Sequence, residues 1–113
     1  MLERLYRPLA ELKNGMLVRH AGIFYRKRIR INEIERVLAV IKDAITHEDV
    51  MVGFFDQHGN QLWLSEFDRG FSQVMSSLKE ALPAFEAVTD LVSRQPFEGR
   101  QKVLWQRHRE RLE

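Results

Sequence analysis

Not one cysteine occurs among the 113 residues. That excludes disulfides, thiol nucleophiles and cysteine-ligated zinc, and it fits a cytoplasmic location. Long apolar runs are missing as well. A bilayer-spanning helix needs about 20 consecutive apolar residues, and no stretch approaches that length, so no transmembrane segment is expected in this chain. Met1-Leu2-Glu3-Arg4-Leu5 is charged and lacks the apolar centre of a secretory signal. The chain as it stands reads as soluble, whether whole or as the soluble piece of a longer membrane protein. No repeat, low-complexity tract or Gly/Ser linker divides it. The expectation is one domain over residues 1–113.

What is present is ordinary for a folded protein. Hydrophobic residues make up 44% and charged residues 30%, enough for a buried core at this length. The net charge of +2 conceals an uneven spread. Residues 1–36 carry nine Lys/Arg against four Asp/Glu, residues 37–92 three against nine, and residues 93–113 six against three. A basic start, an acidic middle and a basic end allow two faces of opposite sign. The alternative is that the blocks intermix on folding.

Periodicity supplies the elements. Residues 1–14 are mixed and polar. A short strand is expected over 16–20, a turn at His20-Ala21-Gly22, and a strand over 23–31 rich in β-branched and aromatic residues. The run 37–45 is apolar at nearly every position, which suits a buried helix or a strand covered on both faces; strand is the reading adopted. A turn at 46–49 and a strand over 50–55 follow. Asp56-Gln57-His58-Gly59-Asn60 then makes a hairpin in which Gly59 supplies positive φ, and 61–65 is the returning strand. Phe67, Phe71, Val74, Met75, Leu78 and Leu82 recur at helical spacing and predict an amphipathic helix over 67–82. Ser65 and Asp68 resemble a capping box, Glu66 and Asp68 complement the helix dipole, and Pro83 ends the helix. Phe85, Val88, Leu91 and Val92 fit a second, shorter helix broken at Pro96. Residues 102–106 suit a late strand with Val103 and Trp105 on one face, or a terminal helix through Arg111; residues 107–111 are expected to be solvated.

In this order the features resemble the bacterial pleckstrin-homology-like domains. The likeness is carried by Gly22-Ile23-Phe24-Tyr25 opening the aromatic-basic strand and by Ile34 and Val37 stepping into the long strand. Asp56 and Gly59 in the hairpin, and a helix opened by Gly70-Phe71 and closed by Leu82-Pro83, complete it. It spans roughly residues 15–85 and is a pattern of hydrophobic steps and turns, not a catalytic signature. The resemblance implies an α+β, mostly-β fold: a bent antiparallel sheet or partly open barrel, capped by one amphipathic helix, with residues 86–113 as a C-terminal extension. It also implies a scaffold for lipid, peptide or protein ligands, with a membrane-proximal or oligomeric role.

The basic run Arg26, Lys27, Arg28 and Arg30 is the candidate anion- or lipid-binding site. Alternate residues of a strand share a face, so Arg26, Arg28 and Arg30 project together and Lys27 to the other side. Guanidiniums grouped this way suit phosphate or carboxylate. The competing explanation is an edge strand whose charges block unwanted pairing. Phe24 and Tyr25 beside the run come close to a single-strand nucleic-acid platform, but no recognised motif accompanies them, which argues against nucleic acid. His20, His47, His58 and His108 lie in turns or the tail without metal-ligand spacing. Ser65, Ser72, Ser76, Ser77 and Ser93 lack a nucleophile elbow, and no phosphate-binding glycine loop is present. No catalytic set, cofactor or metal is therefore expected. Trp63 and Trp105 are candidate interface residues.

The leading expectation is a non-catalytic interaction module with a protein partner or a second copy of itself. The alternative is a peripheral binder of anionic phospholipid membrane through the basic strand, in which case the cytoplasmic chain is membrane-associated. A small enzyme would require a pocket with several convergent polar groups, which the sequence does not suggest.

Overall fold

In the computed structural model, which describes residues 7–22, 25–43, 48–87 and 101–107, Asn14 and Gly15 take positive φ angles of 54° and 75°. Two such residues make the primed turn that matches the twist of a hairpin. They join β1 (Leu9–Lys13) to β2 (Met16–Ala21), and Lys13 pairs with Met16 across the turn. β1 corrects the sequence reading, which left residues 1–14 without a strand. Asn-Gly was the available signal. β3 (Tyr25–Arg30) pairs with β2 and completes a three-stranded antiparallel sheet of order β1-β2-β3. Ile23 and Phe24, expected in this strand, lie outside the described residues.

A 3-10 turn at Ile31–Glu33 leads into the second sheet. Its strands are β4 (Ile34–Asp43), β5 (Glu48–Asp56), β6 (Gln61–Ser65) and β7 (Gln101–Gln106), ordered β6-β5-β4-β7 and antiparallel throughout. The apolar run expected as a strand forms β4. Val37, Ala39 and Ile41 face the core, while Leu38 and Val40 are half-buried on the other side, which is why both parities are apolar. At the β5–β6 turn Gly59 has φ 85°, as the hairpin required.

Helix α1 (Phe71–Ala81) buries Phe71, Val74, Met75 and Leu78. These join one core cluster drawn from the helix and all seven strands, from Ala10 and Leu17 to Leu104. The expected α+β, mostly-β architecture forms: among the described residues there are two antiparallel sheets and one helix, and the sheets do not close into a barrel.

Three expectations around α1 are corrected. The helix starts at Phe71, not at 67, and Phe67 is 47% exposed. Gly70, at φ 80°, stands at the N-cap without a side-chain cap. Asp68 does bond the Ser65 amide, at 3.0 Å, but Ser65 ends β6, so the box closes a turn and caps nothing. Glu66 is drawn away too, accepting from the Val50 amide at 3.2 Å. After the helix, residues 85–87 are irregular, with Phe85 and Ala87 buried; the remainder of the proposed second helix, residues 88–92, lies outside the described residues.

The late strand is real, but a bulge changes its faces. Val37 pairs with Trp105 and Leu38 with Val103, so Leu104 is the extra residue. Trp105 then packs against the core while Val103 is 49% exposed. The two do not share a face.

Gly70 is also where the helix meets β1. A Cβ there would collide with the Ala10 carbonyl oxygen, whereas one at Gly15 would meet nothing. Gly70→Ala is expected to cost about 3 kcal/mol, combining left-handed strain with overpacking. Gly15→Ala is expected to cost about 1 kcal/mol from strain alone. Urea midpoints of the two variants test the order.

Candidate functional site

In β3 only Ile29 is buried. Alternation then sets Tyr25 and Lys27 on the inward side and Arg26, Arg28 and Arg30 on the outward side, as the sequence implied. Registers arrange the outer face of this sheet in three rows: Leu9, His20 and Arg26; Glu11, Val18 and Arg28; Lys13, Met16 and Arg30. The arginines form one column, spaced about 6.7 Å apart at twice the strand rise. All three are exposed, and no hydrogen bond or ion pair engages them among the described residues. Val18, between Glu11 and Arg28, is only 8% exposed although it stands outside the core cluster. Lys13 joins the basic set at the far corner, a member that sequence alone could not place. Among the described residues of these rows the one acid, Glu11, lies 3.2 Å from His20 Nε2.

The inner face of the same sheet has a different charge chemistry. Arg19 donates from Nε to Asp68 Oδ2 at 2.8 Å and from Nη2 to Oδ1 at 3.1 Å, and the Asp68 side chain is 2% exposed. Lys102 lies 3.6 Å from Glu86. The basic ends of the chain are thus partly neutralised by its acidic middle. The charge blocks mix, and the column on β3 is a residue of positive charge that this pairing leaves over.

No protein-family model, curated protein or solved structure matches the chain. Its candidate sites are therefore judged on geometry.

The two tryptophans, each a candidate interface residue, stand apart in the four-stranded sheet. Trp63 is on β6 and Trp105 on β7, the opposite edges of the four-stranded sheet. Trp63 lies over Gly53 on the outer face, where a Cβ on the glycine would come within 2.6 Å of the indole, and stacks edge-on against Phe55 at 5.7 Å. A straight row runs Trp63, Gly53, Leu38, Val103 across this sheet. Trp105 is half-buried against the core, its Nε1 donating to the Pro83 carbonyl at 2.9 Å.

His58 sits in the β5–β6 turn, 3.3 Å from Glu33 Oε2; His47 and His108 lie outside the described residues. Among the described residues no three His, Asp or Glu side chains are grouped to hold a metal. Asp56 organises that turn, its Oδ1 accepting from the amides of His58 at 2.9 Å and Asn60 at 2.8 Å, and its Oδ2 from Asn60 Nδ2 at 3.0 Å. Burial pushes the Asp56 carboxyl up, but the Asn60 side chain, the two amides and the His58 charge outweigh it. The net position is below the ordinary value of 3.8.

A carboxylate lowered in the folded state adds stability above its unfolded pKa of about 3.9 and loses it as pH falls through the folded value. Asp56→Ala is therefore expected to be less stable than wild type at pH 7, with the gap narrowing below about pH 4; urea unfolding across this range checks it. Arg19→Leu leaves the buried Asp68 carboxylate without its cation and is expected to cost about 3 kcal/mol, read in the same assay at pH 7.

Proposed function

We propose that this chain is a non-catalytic binding module of pleckstrin-homology-like character, whose working surface is the basic outer face of the three-stranded sheet and whose partner is an anionic phospholipid membrane. The observation that carries the reading is the column Arg26, Arg28 and Arg30, exposed and unengaged among the described residues. A column of cations repeated along a strand suits an extended anionic surface. Basic residues near an anionic bilayer contribute about 1 kcal/mol each, so three arginines raise partitioning on the order of 100-fold. That is a weak, salt-sensitive attachment. Two signals make a stable anchor, so one face of this kind gives reversible association.

The non-catalytic part of the reading is supported by the cavities. A groove of about 620 Å3 between β1 and α1 has Glu11 as its one titratable lining residue, short of the convergent set an active site uses. No described helix is long and apolar enough to cross a membrane, so the reading concerns peripheral contact.

A second reading, a protein partner or a second copy, is favoured by the row Trp63, Gly53, Leu38 and Val103 with Phe55 beside it, an apolar strip on the outer face of the four-stranded sheet.

Co-sedimentation with anionic and neutral vesicles at low and high salt separates the two. Wild type is expected to pellet with anionic vesicles at low salt only. A variant with Arg26, Lys27, Arg28 and Arg30 changed to Glu is expected to stay in the supernatant throughout. Equal pelleting of both proteins, or of neither, removes the membrane reading and leaves the apolar strip as the working surface.

A further inference from the structure

Where the arginine column ends, the surface dips into a groove of about 450 Å3, within the range of small-molecule sites. Segments far apart in sequence make its walls. The Asn14-Gly15 turn and Arg30 stand on one side, Leu82 and Pro83 at the end of α1 form another, and Trp105 and Arg107 close it. None of its described lining residues is acidic.

Its two cations differ in kind. Arg107 is fixed: Nε donates to the Ile34 carbonyl at 3.0 Å, Nη2 to the Asn32 carbonyl at 3.2 Å, and the guanidinium lies 5.2 Å from the centre of the Trp105 ring. Trp105 is fixed in turn by Pro83. Arg30 is exposed and unengaged among the described residues. A guanidinium and an indole already held in place lose little freedom when a ligand arrives, while a free guanidinium can swing onto a carboxylate or phosphate and bind it through two donors.

We propose that this groove binds a small organic anion, with its carboxylate or phosphate head between Arg30 and Arg107 and an apolar or aromatic body against Trp105, Leu82 and Pro83. Two charges oppose such a head. The C-terminal end of α1 carries about half an elementary negative charge, and Glu35 Oε2 lies 4.0 Å from Arg107 Nε. The Glu35 carboxylate partly neutralises Arg107, which makes Arg30 the uncompensated cation and the residue on which head-group affinity depends. The site meets the membrane face only at Arg30. Arg26 and Arg28 belong to the column but not to the groove lining, whereas Arg30 belongs to both.

The chain has two tryptophans, so Trp63→Phe leaves Trp105 as the sole indole reporter. Phenyl phosphate titrated into this variant, followed by fluorescence, is expected to give a saturable change. Calorimetry on the wild type gives the same affinity without the substitution. Inorganic phosphate is expected to bind more weakly, and benzyl alcohol, which has the ring without the charge, not to saturate. Arg30→Gln is expected to weaken phenyl phosphate about tenfold or more, the scale of one charge-assisted hydrogen bond, and Arg26→Gln to leave it unchanged. Absence of saturable phenyl phosphate binding in calorimetry, or equal loss in Arg26→Gln and Arg30→Gln, would overturn the proposal; equal loss means diffuse attraction to the basic face. Vesicle binding that fails while phenyl phosphate still saturates removes the membrane reading alone.

Discussion

Beside the shared apolar core, a buried carboxylate ties the two sheets to one another. Asp68 receives both guanidinium donors of Arg19 from the inner face of the three-stranded sheet and the Ser65 amide from the end of β6. Around it the backbone repeats the connection. The Ala10 amide bonds the Arg69 carbonyl and the Arg69 amide bonds the Pro8 carbonyl, each at 2.8 Å, and Leu9 and Arg69 form an isolated parallel bridge. Gly70 then turns with positive φ directly beneath Ala10. A charge buried this deeply is tolerated only while its partner is present. The joint therefore sets where α1 begins, while the apolar spacing of the helix sets which face enters the core.

That joint also decides what the outer surface can offer. Arg19 is spent on the inner side of the three-stranded sheet, and Lys102 on Glu86. On β3, alternation anchored by the buried Ile29 sends three arginines outward, where no ion pair engages them among the described residues. β3 is an edge strand, so the same column that favours an anionic partner also discourages pairing with a stray strand. The two roles are compatible, because one acts through the backbone edge and the other through the face.

The local elements were legible where one periodicity dominated. Phe71, Val74, Met75 and Leu78 announced the buried face of α1, and Asp56 with Gly59 announced the β5–β6 hairpin. The basic column could be read as well, because alternation on a strand needs only one buried residue as anchor. The helix start was misplaced for a nonlocal reason. Phe67 continues the helical spacing, but Glu66 and Asp68 find better partners in the Val50 amide and Arg19. The pairing of Val103 with Trp105 on one face failed because a bulge, which has no dependable sequence signature, shifted the parity. β1 was missed although Asn14-Gly15 marked its turn, since its residues are few and amphipathic only once paired.

By itself the sequence determined the strand-rich composition of the fold, the amphipathic helix, the Asp56 hairpin and the alternation that gathers Arg26, Arg28 and Arg30. These depend on residues within one or two turns of each other, where backbone geometry alone dictates which side chains share a face. Tertiary structure decided the pairing of Arg19 with Asp68, the entry of Lys13 into the basic face, and the meeting of Arg30 with Trp105 and Arg107. Each of these joins residues whose separation along the chain carries no information about distance until the core has formed, and burial then selects among the partners that charge alone leaves open.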